Sequence, residues 1–302
     1  MEHLYIVGNG FDIHHNIPSK YSDFYKWLEA NEPELLSNIQ DYFVGCSDPT
    51  WWSEFEQELA SLDTLNIIHE KAIEYYPNIA SDDFRDSDWY GAEYAVEVCV
   101  NKMYDDIEVA FSKWIKSLPK GNPQKKIFIN NTSWFLNFNY TYTLETLYGI
   151  NANNILHIHG KVGMPDEKLI LGHGTSSKEL NNKIKLTYDD DSTMYFTEDR
   201  ARDTIIYEIA CRKKDVERII QNNEKWFESL LQVKYLHFYG FSFSDIDMPY
   251  ISKILDSVNK DNINIEFSFY EEKDKERISH VVNKYSISRD QYHLIELSEL
   301  EI

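Results

Sequence analysis

Residues 3–10, HLYIVGNG, run a short apolar strand straight into a pair of glycines, and few folds accommodate that junction. Leu4 to Val7 have the unbroken apolar character of a strand buried on both faces, as in parallel sheets covered by helices. Gly8 and Gly10 let the chain leave such a strand sharply and can expose backbone N–H groups to a phosphate. The opening therefore reads as strand, turn and helix, with Tyr21, Phe24, Trp27 and Leu28 at helical spacing. Pro18 marks the boundary before that helix and Ser19 is placed to cap it, which makes residues 8–18 a long turn.

With 302 residues and 35.7 kDa, the chain can bury a substantial core. Its 42% hydrophobic content, with 21 Tyr, 16 Phe and 7 Trp, excludes a disordered chain. Cys46, Cys99 and Cys211 are far apart and form no CxxC pair, so neither a disulfide framework nor a cysteine zinc knot is encoded. A reducing, cytoplasmic location is the expectation. No segment approaches 18 uninterrupted apolar residues, and the first residues lack a signal-peptide layout. A net charge of −21 opposes binding to nucleic acid or anionic membrane, while backbone N–H groups can still hold a phosphate inside a cleft.

Between residues 31 and 118 apolar residues recur three and four apart, including Trp52, Phe55, Leu59 and Leu62, then Tyr94, Val98, Asn101 and Tyr104 with a polar interruption. This predicts a mainly helical insertion broken by loops at 81–90 and 119–126. Strands are expected at 133–138, 155–158 and 169–171, in the run VKYLHFY, and at 263–270 and 292–295, with a helix starting near Thr141 and an exposed loop at TYDDDST, 187–193. Residues 201–231 fit a helix. The reading is one domain over 1–302, an α/β Rossmann-like doubly wound parallel sheet with helical insertions, the second being a loop and helix insertion at 161–231.

Four short segments carry candidate chemistry. VGNGFD, 7–12, lacks both the full GxGxxG pattern and a P-loop lysine, so it reads either as a nucleotide-facing turn or as an ordinary strand turn. Asp12 there suits a ribose or a backbone donor better than a phosphate. In NFNYTYTLE, 137–145, Asn139 and Thr141 follow an apolar strand, and strand ends of this kind often form α/β sites; a hydrogen-bonded turn is the plainer alternative. HIHG, 157–160, puts His157 and His159 on one strand face with Gly160 as the exit. His159 can accept a proton near neutral pH, although most histidines are structural. Adding His173 would make a weak metal set without a linked carboxylate, and no metal is expected. HFYGFSFSDID presents Gly240 and Ser242 after another apolar strand, where they can complete a ribose pocket or simply pack; Asp245 and Asp247 read as helix caps or solvated groups.

Taken in order, these segments resemble the SIR2-like superfamily, and more closely its divergent bacterial member, the abortive-infection AbiH family. GNGFDIHHNIPSKYSDF at 8–24 looks like the nucleotide loop, FNYTYTLE at 138–145 like the segment of the catalytic asparagine, HIHG like the histidine–glycine segment, and GFSFSDID at 240–247 like the later ribose-binding turn. The resemblance covers most of residues 1–270. It implies NAD as substrate with no cofactor required, Gly8, Gly10 and Asp12 near the dinucleotide, Thr141 beside it, Asn139 and His159 as the catalytic pair, and Gly240 with Ser242 on the adenosine side. Thr141 stands where SIR2 enzymes usually have Asp, Phe11-Asp12 where small residues are usual, and the cysteine zinc module is absent. The function implied is an NAD glycohydrolase that cleaves the nicotinamide–ribose bond in antiphage defence, with a phage-derived activator or a partner protein. The alternatives are a catalytically inactive sensor of NAD or ADP-ribose and an NAD-dependent protein deacylase.

Overall fold

A computed structural model describes residues 1–118, 124–162, 169–186 and 194–302. Six strands, β1 (His3–Val7), β2 (Trp134–Asn137), β3 (Ile155–His157), β4 (Tyr235–Tyr239), β5 (Asn264–Phe269) and β6 (Tyr292–Glu296), form one sheet. Their order is β3-β2-β1-β4-β5-β6, and every neighbouring pair is parallel. The fold is α/β and Rossmann-like. The first strand is central, and the winding reverses between β1 and β4, the switch point at which such sheets open a crevice.

Alternation along the strands explains why both faces are covered. Leu4, Ile6, Leu136, Leu236, Phe238, Ile265 and Phe267 join Tyr250, Ile251 and Ile254 of the helix Met248–Ser257 and Ile278 and Val281 of Glu272–Lys284. The intervening residues Tyr5, Val7, Phe135 and Tyr239 join Phe11, Leu144 and Tyr148 on the other face. Each fully buried side chain of this size contributes about 1.5–3 kcal/mol of transfer free energy. Across β1, β4, β5 and β6 the register aligns Tyr5, His237, Glu266 and His293. Tyr5 stacks on His237 with centroids 4.3 Å apart. His237 Nδ1, His293 Nε2 and the Tyr239 hydroxyl donate to the Glu266 carboxylate at 3.0, 2.8 and 2.5 Å.

The described residues fall into two compact units, one of Met1–Lys20, Trp114–Ile170 and Asp215–Ile302 that carries the sheet, the other of Tyr21–Lys113 and Leu171–Lys214. The second unit is helical, with Phe24, Trp52, Phe55 and Phe111 in its core; Trp52 and Phe55 stack 5.7 Å apart and Phe24 meets Phe55 edge-on at 5.5 Å. Within it the buried Lys214 ammonium pairs with Glu56.

Several local expectations change. Residues 8–18 are not one long turn, because helix α1 (Asn9–His14) begins directly after Gly8. Ser19 pairs with Asn9 at the start of α1: its hydroxyl donates to Asn9 Oδ1 at 2.5 Å and its carbonyl accepts from Asn9 Nδ2 at 2.9 Å. On the helix Gly91–Ser117 the buried face is Ala92, Val96, Val100, Ile107 and Phe111, whereas Tyr94 and Val98 are exposed. Residues 169–171 form no strand. The helix expected over 201–231 is interrupted, since Met194–Cys211 ends before Val216–Asn222 begins. The loop expected at 187–193, and the 119–123 part of the connection at 119–126, lie outside the described residues.

Candidate active site at the strand ends

Parallel register sets Val7 beside Asn137 and Tyr239, and Asn137 beside His157, so the segments leaving β1, β2, β3 and β4 emerge at one edge of the sheet. The exits continue the ladder: Gly8 N–H donates to Tyr239 O at 3.0 Å, Phe138 N–H to Val7 O at 2.9 Å and Ile158 N–H to Asn137 O at 3.1 Å.

Three glycines make the closest approach there. Gly240 has φ +61°, and a Cβ on it would lie 2.0 Å from Phe11 N and 2.3 Å from Gly10 C. A Cβ on Gly8 would meet Gly240 O at 2.6 Å, and one on Gly10 would meet Gly240 Cα at 2.7 Å. Backbone cannot yield as a flexible side chain does, so the start of α1 and the exit of β4 touch only because all three positions lack a side chain. The positive φ belongs to Gly240 rather than to Gly10. Nor are the first two glycine amides open, since Gly10 N–H donates to Gly240 O at 2.9 Å and Gly8 N–H is taken by Tyr239. Ser268 Oγ accepts the Gly240 N–H at 2.8 Å and fixes the turn from β5.

Asp12 is fully buried in the first turn of α1. Thr141 Oγ1 donates to its Oδ2 at 2.5 Å, Thr143 Oγ1 lies 3.1 Å from Thr141 Oγ1, and Oδ1 has no hydrogen-bond partner among the described residues. Burial raises this carboxyl to about 6, against the pull of Thr141, Thr143 and Asn139. Thr141 thus sits against a buried carboxyl. Asn139, also buried, donates from Nδ2 to Gly8 O at 3.0 Å, and its backbone N–H is held by Asn137 Oδ1 at 3.0 Å.

His159 lies in the turn beyond β3, 4% exposed, enclosed by the rings of Phe138, Tyr140 and Tyr250 at centroid distances of 5.3, 6.1 and 5.9 Å. Its Nε2 is 3.7 Å from Asp247 Oδ1, and Ser244 Oγ donates to Asp247 Oδ2 at 2.7 Å. Asp247 is therefore neither a solvated group nor a side-chain cap, as the helix Met248–Ser257 draws no side-chain cap bond from it. Sequence reasoning missed the contacts of Ser244 and Asp247 because FSFSDID offers two serines and two aspartates, and only the turn geometry separates them. Ser242 is exposed, and its carbonyl accepts from Arg277 at 3.3 Å.

His157 and His159 do not share a strand face, because β3 stops at His157. His157 contacts Glu145 Oε1 through Nε2 at 2.8 Å and faces Asn137 Nδ2 through Nδ1 at 3.4 Å. His173 belongs to the helical unit, its Nε2 on Ile209 O at 2.8 Å and its Nδ1 accepting from Thr175 N–H at 3.1 Å. Burial lowers its basicity. No group of three metal-ligating side chains occurs among the described residues, and none of their helices is long and apolar enough to cross a membrane.

Compared with protein families, residues 4–269 match the model described as bacteriophage abortive infection AbiH, a span that runs from β1 through β5. No curated protein matches the chain, and no solved structure does.

Proposed function

The chain belongs to the bacteriophage abortive infection AbiH family, and from that premise we propose that it is an NAD glycohydrolase acting in antiphage abortive infection. The observation that carries the reading is the grouping of Asn139, His159 and Asp247 with the Gly8–Gly10–Gly240 contact at the carboxyl ends of β1 to β4, beside the switch point. Crevices at this place in open α/β sheets take dinucleotides, and the sheet is of the kind found in NAD-binding enzymes.

In the proposed reaction the bond between ribose C1′ and the nicotinamide nitrogen breaks, and its electron pair leaves with neutral nicotinamide. Water forms the new bond to C1′ and yields ADP-ribose. Asn139, whose Nδ2 is tied to the Gly8 carbonyl, offers Oδ1 to orient that water and a ribose hydroxyl. His159 accepts the proton released by the water, and the Asp247 carboxylate, steadied by Ser244, sets a negative charge against the imidazolium that forms. The aromatic rings around His159 exclude bulk water from its faces.

Nicotinamide release from NAD is the test, followed by chromatography with purified protein in the presence and absence of phage lysate as a source of activator. His159→Ala is expected to slow release on the order of 100-fold to 10,000-fold with NAD binding retained. Saturable NAD binding without release under activating conditions would replace the hydrolase with a nucleotide sensor, and no binding by folded protein would reject both.

A further inference from the structure

A second histidine, which the proposed reaction does not use, stands at the centre of a chain of hydrogen bonds ending on Asn139. Glu145 Oε1 accepts from His157 Nε2 at 2.8 Å, His157 Nδ1 faces Asn137 Nδ2 at 3.4 Å, and Asn137 Oδ1 accepts from the Asn139 N–H at 3.0 Å. Asn139 then donates from Nδ2 to the Gly8 carbonyl at 3.0 Å. We infer that Glu145, His157 and Asn137 form a positioning device that holds the Asn139 backbone and side chain in one orientation at the strand end.

The direction of each donor fixes the arrangement. A carboxylate can only accept, so Glu145 fixes the proton on His157 Nε2 and leaves a lone pair on Nδ1. That lone pair requires an N–H from Asn137, which turns the Asn137 amide nitrogen toward His157 and its oxygen toward the Asn139 N–H. The opposite His157 tautomer would set N–H against N–H and turn the Asn137 carboxamide over, depriving the Asn139 amide of its acceptor. Three elements are joined in this way. Glu145 lies in the helix Thr143–Tyr148, His157 on β3 and Asn137 on β2, so the segment between residues 137 and 145, which bears Asn139 and Thr141, is clamped at both ends by one imidazole ring from the neighbouring strand. Asn137 is 2% exposed, which keeps water from substituting for the lost partner.

This inference rests on the hydrolase reading only for its effect on rate; the device itself can be read without turnover. In ¹⁵N–¹H spectra of the full chain, His157 is expected to carry its proton on Nε2 with Nδ1 unprotonated, and the Asn139 amide to exchange slowly with solvent. His157→Leu, which has no acceptor, is expected to speed that exchange at least about tenfold and to lower kcat for nicotinamide release on the order of 100-fold, with KM within about twofold. His157→Asn, whose Oδ1 replaces the Nδ1 acceptor, is expected to restore most of both. Should His157→Leu fail to fold, Glu145→Ala serves instead, since it removes a partly exposed side chain; it should give a mixture of His157 tautomers and faster Asn139 exchange. An Nδ1-protonated ring in the parent, or unchanged Asn139 exchange in a folded His157→Leu or Glu145→Ala variant, overturns the device. A parent that releases no nicotinamide with activator present would reject the hydrolase reading alone, and the ring tautomer and amide exchange would still decide this one.

Discussion

At Asp12, a carboxyl with no solvent contact and one oxygen lacking a hydrogen-bond partner among the described residues is held next to the glycine contact. Burial raises it from an ordinary 3.8 to about 6, so the folded chain binds a proton there at pH values where the unfolded chain has released it. The resulting stability is fully present below about pH 4 and is lost as pH rises through about 6; the gap is worth on the order of 3 kcal/mol. Asp12→Asn, which keeps the shape and removes the charge, is expected to match the parent in urea denaturation at about pH 4 and to exceed it by that order at pH 7.5. Equal stabilities at both pH values would show that Asp12 is not strained by its burial. Asn139 and His159 were readable as candidates because each closely follows an apolar run that reads as a strand. The contacts of Asp247, Ser244 and His157 were not readable, since each depends on a partner brought in by another strand or by a turn. The same holds for the glycines: their spacing pointed to a close approach, but a sequence does not say that the approaching group is the backbone of Gly240.

Where whole elements are concerned, the row of Tyr5, His237, Glu266 and His293 is the polar tie across the sheet. Burial disfavours a charged Glu266, yet hydrogen bonds from His237, Tyr239 and His293 outweigh it and hold the carboxyl at about 2. A lowered acid contributes stability above its unfolded value, near 4.5, and loses it as pH falls toward 2. Glu266→Gln is therefore expected to cost roughly 2 kcal/mol at pH 7, allowing for some solvent screening, with the deficit shrinking below about pH 4.5; a deficit independent of pH would assign the loss to packing instead. Strands were the more legible elements, because β1, β2 and β4 are short apolar-rich runs and β5 alternates Ile265, Phe267 and Phe269 with polar residues. Helices were less so. At six residues α1 is too short to show a period, and it is held by the burial of Phe11 and Asp12 rather than by propensity. The break between Cys211 and Val216 is likewise absent from the pattern: Lys214, which looks like a surface residue in sequence, is buried against Glu56, with its N–H on His173 O at 2.9 Å.

For the molecule as a whole, a charge of −21 on 302 residues makes self-repulsion part of the stability. Raising sodium chloride from about 0.01 M to about 0.2 M shortens the Debye length from about 30 Å to below 10 Å. The melting temperature is expected to rise by a few degrees over that range, as scanning calorimetry can measure; a fall would mean that attractive ion pairs outweigh the net charge. The α/β class was legible from apolar runs alternating with helical stretches, whereas the strand order was not, because it is a property of pairing between distant segments. That order has a consequence for synthesis. The central strand emerges first, and its partners are far downstream, His3 pairing with Tyr235 in β4 and Leu4 with Trp134 in β2. At about 5–20 residues per second, β1 waits roughly 10–50 s for its second neighbour. Until β4 is made, β1 keeps at least one unpaired apolar edge on the nascent chain, a natural client for a holding chaperone. Gly240, Ser244 and Asp247 are translated after most of the sheet unit's first half, so the ribosome delivers a chain unable to assemble the strand-end cluster until β4 and the turn behind it have been made.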